Sequence, residues 1–186
     1  MEQKEHEFGG MEFGRQLHRE DIPKIDLYID QVLQLFDEEF APAKRSAEDK
    51  ILTKTMVNNY AKGKLFYPVS GKKYSPSHIM LIALIYQMKS ALSINDIKKV
   101  LSGINHKAAG GELDVADFYD QYTRLADANN EMFKDIFAKQ EAAAAAAELD
   151  AEERKVLLIA SLTQMSQLYK RTAEKLVDEL TGTEEG

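Results

Sequence analysis

The sequence predicts an all-α protein with a small β wing, and three observations carry that prediction. Several segments repeat apolar residues at helical spacing and open on residues that cap free amides. The stretch Leu65 to Tyr74 breaks the pattern with Pro68 and Gly71. Beyond Gly110-Gly111, two long segments space their apolar residues alternately by three and four. The expected architecture is an N-terminal unit of short helices around a wing, followed by an antiparallel hairpin of two long helices.

Taken in order, residues 1–23 are polar and aperiodic and read as a mobile tail. The run PKIDLYIDQVLQLFDEEF, from Pro23 to Phe40, has an apolar stripe at Ile25, Tyr28 or Ile29, Val32, Leu35 or Phe36, and Phe40, and predicts a helix that ends at Ala41-Pro42. After a charged connector, Thr53 is expected to cap a short helix to about Lys62, with Met56, Val57 and Tyr60 inward and Gly63 as its stop. Leu65 to Tyr74 suits a two-stranded turn. Ser75-Pro76 then opens a helix to about Ser90 that is apolar on nearly every side, the expected core helix. Its His78 is assigned to first-turn surface. Ser93 and Asp96 resemble a capping box for a further helix holding Ile94, Ile97, Val100 and Leu101, which Gly103 is expected to close.

Gly110-Gly111 is the best domain boundary, giving a unit over 24–108 and an acidic hairpin over 112–182. In the hairpin, one seam is expected along Val115, Phe118, Tyr122, Leu125, Asn129, Met132 and Ile136, and the other along Leu158, Leu162, Met165, Tyr169, Thr172, Leu176 and Leu180. Asp150 with Glu153 makes a second possible capping box, which favours two helices over a single continuous one.

The net charge of −7 conceals an asymmetry. From Lys44 to Lys107, twelve basic residues stand against three acids, a local charge of +9; the remainder carries 12 basic and 28 acidic residues, or −16. A basic block in an acidic chain is the charge pattern of a nucleic-acid-binding module joined to something with another task, although lysines that merely solvate one surface give the same count.

Other classes find little support. The chain has no cysteine, so it offers no disulfide, thiolate metal site or cysteine nucleophile, which fits a reducing compartment; the cytoplasm is the expected location. The longest apolar run, Ile79 to Tyr86, is far short of the about 20 residues that span a bilayer, and the N-terminus lacks a signal-peptide core. His6, His18, His78 and His106 are scattered without metal-ligand spacing, and no glycine-rich phosphate loop occurs, so no metal, no cofactor and no catalysis are expected.

The order of elements in the basic block resembles the DNA-binding domain of MerR-type winged-helix regulators. Leu52-Thr53 matches the entry of that domain's recognition helix, Val57 and Tyr60 its apolar residue and second tyrosine, and Leu65-Phe66 its Leu-Leu step. Lys73-Tyr74-Ser75 matches the end of the wing, and LSINDIKKVL, Leu92 to Leu101, the last helix. More closely, LYIDQVLQLF with LTKTMVNNY and KKYS is similar to an uncharacterised bacterial domain-of-unknown-function family regarded as divergent MerR-like proteins. The chain departs at three places: Asn58-Asn59 stands where the regulators have Arg-Tyr, Lys64 where they have a glycine, and Gly71-Lys72 where they have Tyr-Arg.

The resemblance implies a transcription regulator that binds double-stranded DNA and forms a homodimer through its C-terminal helices. Within that reading, Asn58 and Asn59 would pair with adenine edges in the major groove, with Thr55 assisting. Lys54, Lys62, Lys64, Lys72 and Lys73 would hold phosphates, and Tyr74 joins the set from the wing match. The competing expectation is a protein-interaction or adaptor module built on a repurposed helix-turn-helix.

Overall fold

The computed structural model describes residues 14–46 and 48–182. Its regular elements are β1 (Leu27–Tyr28), α1 (Ile29–Phe40), α2 (Lys54–Lys62), β2 (Lys73–Tyr74), α3 (Pro76–Met88), α4 (Ile94–Ala109), α5 (Val115–Ala145) and α6 (Ala151–Gly182), with short 3-10 turns at Arg19–Asp21 and Ala41–Ala43. The protein is all-α with one small two-stranded antiparallel sheet, in agreement with the predicted class.

Helix α3 is the hub. Its Pro76-to-Met88 sequence is so uniformly apolar that Ile79 through Ile85 are all buried, and the other helices of the N-terminal unit assemble around it. Helix α1 contributes Val32, Phe36 and Phe40, α2 contributes Val57 and Tyr60, and α4 contributes Ile97 and Leu101. At the far end of α3, the Lys89 ammonium lies 4.4 Å from the Tyr86 ring centroid and donates to the Ile51 carbonyl at 3.1 Å. This ties the end of the hub to the segment that enters α2. Burial holds the Lys89 pKa below its ordinary value.

Caps decide most helix starts. Thr53 Oγ1 accepts from the Met56 N–H at 3.2 Å, and Ser93 Oγ accepts from the Asp96 N–H at 3.1 Å while donating to the Asp96 carboxylate at 2.6 Å. Asp150 accepts from the Glu152 and Glu153 N–H groups, and Glu153 returns a bond to the Asp150 N–H at 2.9 Å. That reciprocal box restarts the chain after the alanine run, so α5 and α6 are two helices, as expected.

The structure differs from expectation in several places. The first helix begins at Ile29, because Leu27–Tyr28 is extended and pairs with β2, with Leu27 opposite Tyr74 and Tyr28 opposite Lys73. The wing therefore takes its partner strand from before α1; inside Leu65–Tyr74 there is only a single bridge, Ser70 to Lys73. Gly103 lies within α4, which runs on to Ala109 and turns at Gly111, where φ is +75°. A lone glycine costs a helix only about 1 kcal/mol, too little to end one whose buried face is already packed.

The expected N-terminal tail is divided. Residues 1–13 lie outside the described residues, but Leu17 and Ile22 are core residues. Tyr119 of α5 is fully buried and donates its hydroxyl to the Leu17 carbonyl at 2.5 Å; burial raises its pKa well above the ordinary phenol value. Arg19 bridges to Asp120 at 2.7 Å and His18 to Asp127 at 3.1 Å, so this segment lies along α5. Val115 and Tyr119 belong to the same core as α3. Gly110-Gly111 separates two helices, but it does not separate two cores.

Helix α5 follows the expected seam only in its first turns. Val115 is buried and Phe118 and Tyr122 pack against the core as expected, but Tyr119, Thr123 and Ala144 are buried as well, and Leu125 and Met132 are exposed. The N-terminal segment supplies the reason: it covers the Tyr119 side, which periodicity within α5 alone does not reveal.

Candidate nucleic-acid interface

Burying Val57 and Tyr60 orients α2, and at 100° per residue the opposite face collects Lys54, Thr55, Asn58, Asn59 and Lys62 into one stripe. All five are exposed. Among the described residues, the side chains of Asn58 and Asn59 make no hydrogen bond, so neither amide is used to support the turn after the helix.

The end of α2 is a Schellman-type turn. The Leu65 N–H bonds to the Tyr60 carbonyl at 3.0 Å and the Lys64 N–H to the Ala61 carbonyl at 3.1 Å. The left-handed residue is Lys64, with φ +57°, and not Gly63, which stays helical at φ −71°. Gly63 leaves little room for a side chain, since a Cβ there would lie 2.7 Å from Leu65 Cδ1 and 3.1 Å from the Asn59 carbonyl oxygen. Lys64 thus takes the conformation that a glycine adopts without strain.

The wing repeats this feature. Gly71 and Lys72 have φ +58° and +61° and are closed by the Lys73 N–H bonding to the Ser70 carbonyl at 3.1 Å, the pattern of a tight hairpin turn. Lys64 and Lys72 are the two non-glycine residues with positive φ among those described. Lys72 and Lys73 are exposed, the Lys73 ammonium lying 5.1 Å from the Tyr28 ring centroid. The two groups of predicted residues therefore sit on α2 with its end turn and on the wing turn, both elements packed against α1.

Among the described residues, Lys54, Lys62, Lys64, Lys72 and Lys73 form no ion pair. Some cations elsewhere are paired, among them Lys44 with Asp37 at 2.6 Å, Arg19 with Asp120 and Lys134 with Glu131. Tyr74 departs from the set. It is only 6% exposed and packs edge-on to Phe66 and His78, so its place is beneath the wing, away from any ligand surface.

His78 is likewise buried, contrary to its assignment to the surface. Its Nδ1 accepts from the Ser75 N–H at 3.2 Å and its Nε2 lies 3.2 Å from the Tyr67 carbonyl. A carbonyl only accepts and an amide N–H only donates, so the ring is the neutral Nε2–H tautomer. Desolvation by burial holds its pKa below 6.5, against the opposing pull of the Tyr67 and Pro68 carbonyls. His78 thus occupies the third-residue position of a capping box and fastens α3 to the wing. The signal was present in the sequence as the Ser-x-x-His spacing, but a cap built on histidine is an unusual one.

Among the described residues, no group of three or more His, Cys, Asp or Glu is placed to hold a metal ion. No helix among them is long and apolar enough to cross a membrane. An open cleft of about 400 Å3 lies between the N-terminal segment and α5, lined by both signs of charge, with His18 and Arg19 paired to Asp127 and Asp120.

These features define a small helical protein whose α2 and wing turn present uncommitted cations and amides. The chain belongs to the family described as Domain of unknown function (DUF1836), which matches residues 17–122. That span coincides with the core observed from Leu17 to Tyr119, including the N-terminal segment and the first turns of α5. No curated protein and no solved structure matches the chain.

Proposed function

We propose that this protein is a non-enzymatic, sequence-specific DNA-binding transcription regulator of MerR-like winged-helix type, acting in the bacterial cytoplasm. The observation that carries the reading is the α2 stripe: five exposed polar side chains, two of them amides with no hydrogen bond among the described residues, flanked by cations that form no ion pair there. Asn58 and Asn59 have the donor and acceptor to meet adenine N7 and N6–H in a major groove, with Thr55 beside them. Lys54, Lys62, Lys64, Lys72 and Lys73 provide phosphate contacts that hold register without reading sequence. Tyr74 supports the wing from below.

The left-handed lysines add weight. Holding a non-glycine residue in that conformation costs about 1–2 kcal/mol, so both positions favour glycine unless the charge itself is useful.

A dimer forms part of the proposal. Leu125 with Met132 on α5 and Tyr169 with Leu176 on α6 are exposed at seven-residue spacing, the pattern of a helical seam still lacking its partner. The same residues favour the second reading, an adaptor that holds another protein.

Selection of bound sequences from a random duplex pool, with Asn58→Ala/Asn59→Ala in parallel, tests the regulator reading. A two-fold symmetric motif lost in the variant is expected; absence of enrichment at low and moderate salt would favour the adaptor. Sedimentation of Leu125→Asp/Leu176→Asp tests the dimer, which should become a monomer with little change in thermal midpoint.

A further inference from the structure

Helix α4 presents a second exposed basic flank. Ile97 and Leu101 face the core, while Asn95, Lys98, Lys99, Ser102 and His106 are exposed, and Ile94, one turn before Lys98, is the one large apolar side chain exposed beside them. Neither Lys98 nor Lys99 has an acidic partner among the described residues. One hydrogen bond locates the flank. The Asn105 side-chain amide donates to the Leu65 carbonyl at 2.8 Å, and Leu65 directly follows the left-handed Lys64.

Asn105 and Lys98 are seven residues apart, so they lie within about 20° of each other around the helix and about 10 Å apart along it. The side of α4 that carries Lys98 is therefore the side that abuts the connection between α2 and the wing. We infer that Lys98, Lys99 and Ser102 contact the phosphate backbone of the same duplex that α2 engages, extending the footprint from α2 across Lys64 onto α4. The inference rests on the DNA-binding reading. A duplex is favoured over a protein partner because the flank exposes no aromatic residue and a single aliphatic one, Ile94 at its start, whereas protein interfaces depend on clusters of such anchors. Lysines with a hydroxyl among them are the usual means of gripping phosphate oxygens.

Backbone contacts contribute to affinity and to salt dependence, leaving sequence preference untouched. The test is a fluorescence anisotropy titration of a labelled duplex, taken from the pool selected by the wild-type protein, over a salt series. The full-length wild type is compared with Lys98→Ala/Lys99→Ala, with Lys98→Arg/Lys99→Arg, and with a control that removes the same charge from α6, Lys155→Ala/Lys175→Ala. Circular dichroism confirms that each folds.

The alanine pair should weaken binding and flatten the log affinity against log salt slope by about 1.8, with the selected motif unchanged. The arginine pair and the α6 control should keep the wild-type slope. A wild type that binds with a steep slope that the alanine pair leaves unaltered overturns the α4 assignment while leaving α2 in place. Equal flattening by the α6 control overturns it as well, showing an effect of net charge alone. A wild type with no salt-dependent duplex binding removes both this inference and the reading beneath it.

Discussion

Lys64 shows how one residue can serve two demands that conflict. Its backbone closes α2 in the left-handed region, where a Cβ is a burden, while its exposed side chain adds a charge that forms no ion pair among the described residues. Lys64→Gly should therefore raise stability by about 0.5–1 kcal/mol, the relieved strain exceeding the extra freedom of glycine in the unfolded chain. Duplex affinity should fall in the same variant. Denaturant midpoints and anisotropy read the two effects separately, and an Lys64→Gly protein that binds as well as wild type would show that the charge there serves nothing.

His78 gives a prediction about pH. Its folded pKa is depressed, so its contribution to stability is fully present above the unfolded value of about 6.5 and is lost as pH falls through the lower folded value. His18 acts in the opposite sense: although partial burial pulls its pKa down, Asp127 raises it overall, so its smaller and solvent-screened contribution is present below about 6.5 and lost as pH rises. Urea unfolding between about pH 7.5 and 5 should show a loss of stability on acidification that His78→Gln abolishes. If both proteins lose stability in parallel, the buried cap is not the group that titrates.

At the scale of the element, α2 is the most vulnerable part. Nine residues make too short a helix to persist on its own propensity, so its cap and its two buried residues maintain it. Thr53→Ala should cost about 1 kcal/mol and fray the end that carries Lys54 and Thr55. Amide exchange would show the loss of protection beginning at Met56, with α3 unchanged. The wing is an element only by virtue of distant pairing: its strand meets residues on the far side of α1, which explains why a local reading of Leu65 to Tyr74 expected a self-contained hairpin.

For the whole molecule, the N-terminal segment and the start of α5 complete the core. Tyr119→Phe leaves the Leu17 carbonyl without its donor in a buried position, at a cost of about 1–3 kcal/mol, and Tyr119→Ala should cost about 3–5 kcal/mol through the cavity it creates. Both changes lie far from α2 in sequence, yet they should lower the global unfolding midpoint in one transition. Two separate transitions would show instead that α5 and the N-terminal unit fold independently.

The sequence by itself determined the all-α class, the wing, the helix starts at Lys54, Pro76, Ile94 and Ala151, and the polar stripe of α2, since caps and helical periodicity are local and act through neighbouring residues. Tertiary structure alone decided which faces were covered. It buried His78 and Tyr74 beneath the wing, paired β1 with β2 across α1, drew Leu17 and Ile22 into the core, and buried Tyr119 and Thr123 of α5, which its own periodicity did not select. Each of those outcomes depends on a partner many residues away, and periodicity within a segment specifies that a face will be buried without specifying what buries it.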